Sequence, residues 1–198
     1  MTAAFITGLS GQTLTSGERA FLRDMQPAGL ILFARNIDTP SQVKALIAEA
    51  LDAIGSPALV LIDQEGGRVQ RLRPPHWRAL PSGNCYGPSC VAFEQAVLDT
   101  ELVSRLIAHD LRALGITCNC TPVLDLPVLG AHDIIGNRAL GRDPNTIATL
   151  GRAIAEGHMA GGVVPVIKHI PGHGRATADS HLELPTVTTD PATLEATD

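Results

Sequence analysis

Aromatic residues are scarce in this 198-residue chain: one Trp, one Tyr and four Phe make up only 3% of it. Basic residues are also few. Fifteen Lys+Arg stand against twenty Asp+Glu, for a formal charge of −5. No basic stripe interleaved with aromatics exists, which excludes the usual footprint of a nucleic-acid binder. No apolar run approaches the roughly 18–20 residues that span a bilayer, so no membrane insertion is expected. Met1 to Ser10 has neither a basic n-region nor a long apolar core, so no secretory signal is read there and the cytoplasm is the expected compartment. Four cysteines make no disulfide framework in a chain of this size. Cys118 and Cys120 alternate within an expected strand as small buried hydrophobes, Cys85 and Cys90 fall in a Gly/Pro/Ser loop where exposure is expected, and neither pair has zinc-site spacing. Charged residues are 18% of the chain, yet 44% are hydrophobic, enough to offset the entropy of ordering and exclude disorder.

What is present is an alternation. Ala3–Leu9, Gly29–Phe33, Ala58–Ile62, Ile116–Leu124 and Val163–Ile167 read as short buried strands. Helices with clear punctuation lie between them. Thr15 and Glu18 have the form of a capping box, as do Thr39 and Gln42, with Pro40 at the first helical position. Val43, Leu46, Ile47, Ala50, Leu51 and Ile54 then recur at helical spacing until Gly55. Ala92 to Leu114 is a longer amphipathic helix ended by Gly115, and Asp143-Pro144 opens another with Ile147, Leu150 and Ile154 on one face.

Strand–helix alternation argues a parallel sheet with helices outside. Arg35 and Asn36 follow the second strand, Asp63 the third, Asp125 the fourth, and Lys168 and His169 the fifth. Ionisable groups gathered at strand C-termini are the working face of an α/β (β/α)8 TIM-barrel-type domain. A dinucleotide fold would use the same strand ends, but Gly8 to Thr13 lacks both the P-loop lysine and the third glycine of a dinucleotide turn. Five strands fall short of eight, and the helix start at Asp190-Pro191 comes eight residues before Asp198. The expectation is that residues 1–198 are an incomplete barrel, part of a domain.

The densest chemical segment runs from Lys168 to His181, with three histidines, a lysine, an arginine and an aspartate in fourteen residues. Metal binding by His169 and His173 would need a helix, which Pro171, Gly172 and Gly174 oppose. Acid–base work is a second reading: Asp179 and His181 are two apart, so an extended backbone puts both on one side, the carboxylate fixing the imidazole tautomer. A Gly-rich loop with satisfied polar groups is the third. Asp63-Gln64-Glu65-Gly66-Gly67-Arg68-Val69-Gln70-Arg71 brings an aspartate, two turn-forming glycines and arginines to a strand end, and Gly136 to Gly141 sets Arg138 among small residues before a helix. Each reads equally as an ordinary surface turn when taken alone.

Together these segments, with Pro122-Val123-Leu124-Asp125 between them, resemble the N-terminal barrel of family 3 glycoside hydrolases, in the bacterial β-N-acetylhexosaminidase branch of peptidoglycan recycling. The Lys-His-x-Pro-Gly-His-Gly stretch with its trailing Asp-Ser-His separates that branch from family 3 β-glucosidases. Ile170 and Leu140 stand where phenylalanine is frequent. The resemblance implies His181 as acid/base, Asp179 as its partner, and Asp63, Arg71, Arg138, Lys168 and His169 as sugar contacts, with His173 shaping the loop and no metal or other cofactor. It implies an N-acetylglucosamine-containing glycan or muropeptide as substrate. The aspartate nucleophile of the branch matches nothing before Asp198, and Asp125 does not take that role. A sugar-binding remnant without turnover is the alternative, and a metal-dependent hydrolase using His169, His173 and His181 is a third.

Overall fold

The computed structural model describes residues 2–87 and 92–197. Cys90 therefore lies outside the described residues. Five parallel strands form one sheet in the order β1 (Ala3–Gly8), β2 (Pro27–Leu32), β3 (Leu59–Ile62), β6 (Cys118–Asn119), β7 (Val164–Pro165). Helices α1 (Ser16–Met25), α2 (Pro40–Ile54), α3 (Phe93–Arg112) and α4 (Pro144–Ala160) connect them, and α5 (Pro191–Thr197) closes the described chain. All ladders in this sheet are parallel. This is the α/β architecture expected of a TIM-barrel-type domain, with five strands present.

Side-chain alternation splits the sheet into two faces. Leu32, Val60 and Ile62 pack against Val43 and Ile47 of α2 and Ile107, Ala108 and Leu111 of α3. Leu30 joins Leu22 of α1 and Leu46, Ala50 and Ile54 of α2. On the opposite, inner face Leu61, Cys118 and Cys120 form a small cluster with Ile31. Cys118 and Cys120 are thus buried, as their alternation suggests, and Cys85 is exposed.

The helix ends follow their capping residues. Thr15 and Glu18 make the full reciprocal box, and Glu18 also accepts the Ser10 amide. Burial opposes ionisation of Glu18, but these hydrogen bonds outweigh it and lower its pKa to about 2. At α2 the expectation holds by half. Thr39 accepts the Gln42 amide, but the Gln42 side chain turns to Asp38 N, Gln12 O and Asn36 O instead of the cap backbone. Asp143 caps α4 through the Thr146 amide.

Two strand assignments shorten. The expected strand over 116–124 keeps ladder geometry at Cys118–Asn119, and that over 163–167 at Val164–Pro165. Pro122 and Pro165 have no N–H for a ladder. Pairing resumes irregularly where Lys168 N donates to Pro122 O and Leu124 N to Lys168 O, which carries Asp125 and His169 to the same rim. A hairpin of β4 (Gln64–Gly66) and β5 (Val69–Gln70) also follows β3, where a simple loop was expected. Gly66 turns its tip at φ 114°, and a Cβ there would lie 2.1 Å from Pro81 O, so no side chain fits.

Candidate active site

The third strand and its hairpin present two acidic side chains to the rim. Asp63 follows β3, and Glu65 lies in β4. The backbone beneath them is tied down by Asn119: its Oδ1 accepts Gln64 N at 2.9 Å and its Nδ2 donates to Gln64 O at 3.0 Å. His158 of α4 backs Asn119, with Nε2 at 2.9 Å from Asn119 Nδ2 and Nδ1 at 2.8 Å from Ile154 O. Because Nδ2 donates, His158 accepts at Nε2 and carries its proton on Nδ1, a neutral imidazole. Burial pushes its pKa down against the upward pull of the Ile154 carbonyl.

Five sequence-predicted residues converge on this rim. Asp63 receives Arg71 Nη2 at 3.1 Å and Lys168 Nζ at 2.8 Å. Glu65 takes Arg138 in a two-pronged pair, Nε at 2.9 Å and Nη2 at 2.8 Å, and Lys168 Nζ at 2.5 Å. His169 Nδ1 meets Asp125 Oδ2 at 2.5 Å, and its Nε2 lies 3.4 Å from Arg138 Nη2. Side-chain exposure orders the cluster in depth: His169 at 35%, Arg71 at 23% and Asp63 at 18% form the open rim, with Arg138 at 10% and Glu65 at 7% beneath it. Burial raises the pKa of Asp63, but Lys168 and Arg71 hold it below the usual carboxylate range. Burial likewise works against the charge on Arg138, and the Glu65 hydrogen bonds and charge outweigh it, raising its pKa.

Asp125 and Glu65 complete the cluster, though neither counted among the expected contacts. Asp125 accepts His173 N as well as His169 Nδ1, which fixes the turn after Lys168. Its burial is outweighed by these two donors, and its pKa is lowered. Both ring nitrogens of half-buried His173 are shielded and bond nothing among the described residues, and the ring sits edge-on to His169 at 6.1 Å between centroids. No sequence periodicity signals Glu65: its strand is three residues long and its partner Arg138 is 73 residues away.

Asp179 and His181 form their pair, by a different route from the one expected. The backbone is a turn, with Asp179 O accepting from Leu182 N and Glu183 N. Asp179 Oδ1 accepts both His181 N at 2.9 Å and His181 Nδ1 at 2.7 Å. Aspartate bonds its own chain two residues on more readily than it stays extended, and here that bond swings the imidazole onto the carboxylate. The His181 amide and side chain lower the Asp179 pKa. His181 is 76% exposed in its side chain, which leaves Nε2 open to a reactant. Val128 N→Gly174 O and His132 N→Ala176 O fasten the preceding loop, and a Cβ on Gly174 would fall 2.0 Å from Leu126 O. Among the described residues, no hydrogen bond or ion pair joins this pair to the Asp63 cluster, and no three His, Cys, Asp or Glu side chains gather as a metal site. No helix among them is long and apolar enough to cross a membrane.

Comparison with known proteins gives these features a family. Residues 7–198 match the Glycosyl hydrolase family 3 N terminal domain. A Beta-hexosaminidase of Bordetella avium (strain 197N) is 41% identical over 181 residues, covering 89% of this chain and 51% of that protein. One from Pseudomonas aeruginosa (strain LESB58) is 40% identical over 185 residues, covering 93% and 54%. The chain spans about half the length of the curated relatives it matches. Among solved structures, native NagZ from Neisseria gonorrhoeae superposes with a TM-score of 0.91 at 36% identity, covering 99% of this chain and 57% of that one. The same protein is also solved in complex with N-trifluoroacetyl-D-glucosamine, at a TM-score of 0.91 to this chain. On sequence, fold and the residues gathered at the strand ends, the chain belongs to family 3 of the glycoside hydrolases, through the N-terminal domain of that family.

Proposed function

We propose that this chain forms the sugar-binding and acid/base part of a retaining β-N-acetylhexosaminidase acting on terminal N-acetylglucosamine, with peptidoglycan-derived muropeptides as the substrate class. One observation carries the reading. Asp63, Arg71 and His169 form an accessible rim, with Lys168 Nζ reaching Asp63 from the more buried side, and this set of one carboxylate acceptor and several polar partners suits the hydroxyls of a neutral sugar. The relatives' names support the same class. In this reading Asp179 holds His181 with its proton on Nδ1 while the leaving oxygen takes a proton from Nε2. The same nitrogen later deprotonates the water that releases the sugar. The attacking carboxylate is assigned, as the family resemblance implies, to an aspartate of a later strand that no residue before Asp198 matches.

The test has two arms. Calorimetry with N-acetylglucosamine is expected to show binding that Asp63→Asn abolishes. In the complete protein that carries the attacking carboxylate, hydrolysis of N-acetyl-β-glucosaminides is expected to fall about 10²- to 10⁴-fold in His181→Ala for an alkyl leaving group and far less for an activated aryl one. Equal losses for both leaving groups refute the acid role. Binding without any turnover by the protein that carries the attacking carboxylate selects the sugar-binding remnant, and absence of both refutes the reading.

A further inference from the structure

We propose that Arg68, at the tip of the β4–β5 hairpin, is a positioning residue for the sugar cluster that acts through Arg138 without touching sugar. The inference rests on the sugar-binding reading given above. A single nitrogen of Arg68, Nη2, lies within hydrogen-bond distance of three successive carbonyls, which share its two N–H groups: Asp133 O at 2.9 Å, Ile134 O at 2.6 Å and Ile135 O at 3.2 Å. Consecutive carbonyls aimed at one point concentrate negative potential, much as the last turn of a helix does, and a cation is the natural partner. These carbonyls belong to the segment that immediately precedes Arg138, and the Arg138 amide itself bonds back to Ile135 O at 2.8 Å. Arg138 Nη1 shares the Ile134 carbonyl with Arg68, at 3.2 Å.

One hairpin therefore holds Arg138 at both ends. Glu65, in its first strand, takes the guanidinium. Arg68, three residues on, takes the backbone from which that guanidinium grows. The hairpin tip is itself fixed, since Arg73 Nη2 donates to Arg68 O at 3.1 Å and Gly66 lies against Pro81. If the clamp opens, the 133–138 segment is free to shift, and the Arg138–Glu65 fork loses its alignment with Lys168 and His169.

The chemistry of the clamp supplies its own control. One nitrogen makes all three contacts, so the lysine ammonium, with three donors, can replace it, whereas methionine keeps the apolar stem and loses the charge. The test compares Arg68→Met and Arg68→Lys in the full chain by hydrogen exchange at the Arg138 amide, by the NMR signal of Arg138 Nε–H, and by calorimetry with N-acetylglucosamine. Arg68→Met is expected to lose at least tenfold exchange protection at Arg138 and tenfold sugar affinity. Amides of α2 should be unchanged, and Arg68→Lys should restore both quantities to within threefold. Unchanged protection in Arg68→Met overturns the clamp. Lost protection with unchanged sugar affinity overturns the positioning role. If Arg68→Met does not fold, Arg68→Gln, which reaches one carbonyl at most, takes its place under the same criteria. Should the unaltered chain bind no N-acetylglucosamine, the sugar-binding reading fails, while exchange at the Arg138 amide and the Nε–H signal still decide the clamp.

Discussion

Replacing Glu65 by glutamine changes one atom at the bottom of the site and removes the charge that two cations share. Glu65, Arg138 and Lys168 are 7%, 10% and 13% exposed in their side chains, so water replaces little of what is lost. Glutamine retains one acceptor oxygen and turns an NH2 toward either the guanidinium or the ammonium. Removing one partner of a buried ion pair costs about 3–5 kcal/mol, because the remaining charge stays buried. Asp63 still neutralises Lys168, so the lower end applies, about 3 kcal/mol. For a chain of this size that corresponds to a Tm lower by roughly 6–12 °C. Urea and thermal unfolding of Glu65→Gln measure it directly. A double-mutant cycle with Arg138→Met should show the pair losing less than the sum of the two singles, by about 1–3 kcal/mol. A loss below about 1 kcal/mol, the range of a surface pair, refutes the assignment of Glu65 as the buried anchor of the cluster.

Acid should undo the same site. Asp63 and Asp125 have lowered pKa values, so their contribution is complete above the unfolded carboxylate value near ~3.9 and is lost as pH falls through the folded values. Denaturation curves from pH 6 downward should therefore be shallower for Asp125→Asn than for the unaltered chain; parallel curves would count against the pairing. His158 adds a term in a higher window. Its pKa is lowered, so its contribution is full above the unfolded value of about 6.5 and fades as pH drops below it; His158→Gln should remove that slope from a urea titration. Gly174→Ala should push the loop off Leu126 O, raising hydrogen exchange at the Val128 and His132 amides while α2 keeps its protection; equal exchange in both proteins would show that the loop does not need the glycine.

Much of the scaffold was readable because it rests on local rules. Leu59-Val60-Leu61-Ile62 is apolar on both faces, as a buried parallel strand must be, and Thr15, Thr39 and Asp143 announce their helices through hydrogen bonds within three residues. Asp63, Arg71, Arg138, Lys168 and His169, which the family resemblance marks as sugar contacts, do converge in space. Their mutual geometry was not readable. The β4–β5 hairpin has no alternation to betray it; Gln64 Oε1 and Gln70 Oε1 hold it by accepting Leu72 N and Leu80 N, bonds made by side chains to backbone across a turn. Asn119 and His158 meet across 39 residues, and Glu65 and Arg138 across 73, spans over which no periodic pattern carries information. The Asp179–His181 pair was right in membership and wrong in backbone, because two residues of spacing serve an extended chain and a tight turn alike.

The cluster at the strand ends is balanced: Asp63, Glu65 and Asp125 face Arg71, Lys168 and Arg138, and each of these arginines and the lysine lies within ion-pair distance of a carboxylate. A balanced lattice of this kind has no unspent positive charge to offer. A phosphorylated sugar entering it would have to displace a carboxylate from its cation, whereas an uncharged sugar only adds hydrogen bonds to groups already in place. On the sugar-binding reading proposed above, a site that neutralises itself in this way is expected to select against phosphorylated sugars. Binding of a neutral glycan is then expected to change little as ionic strength rises, since the sugar carries no charge for salt to screen.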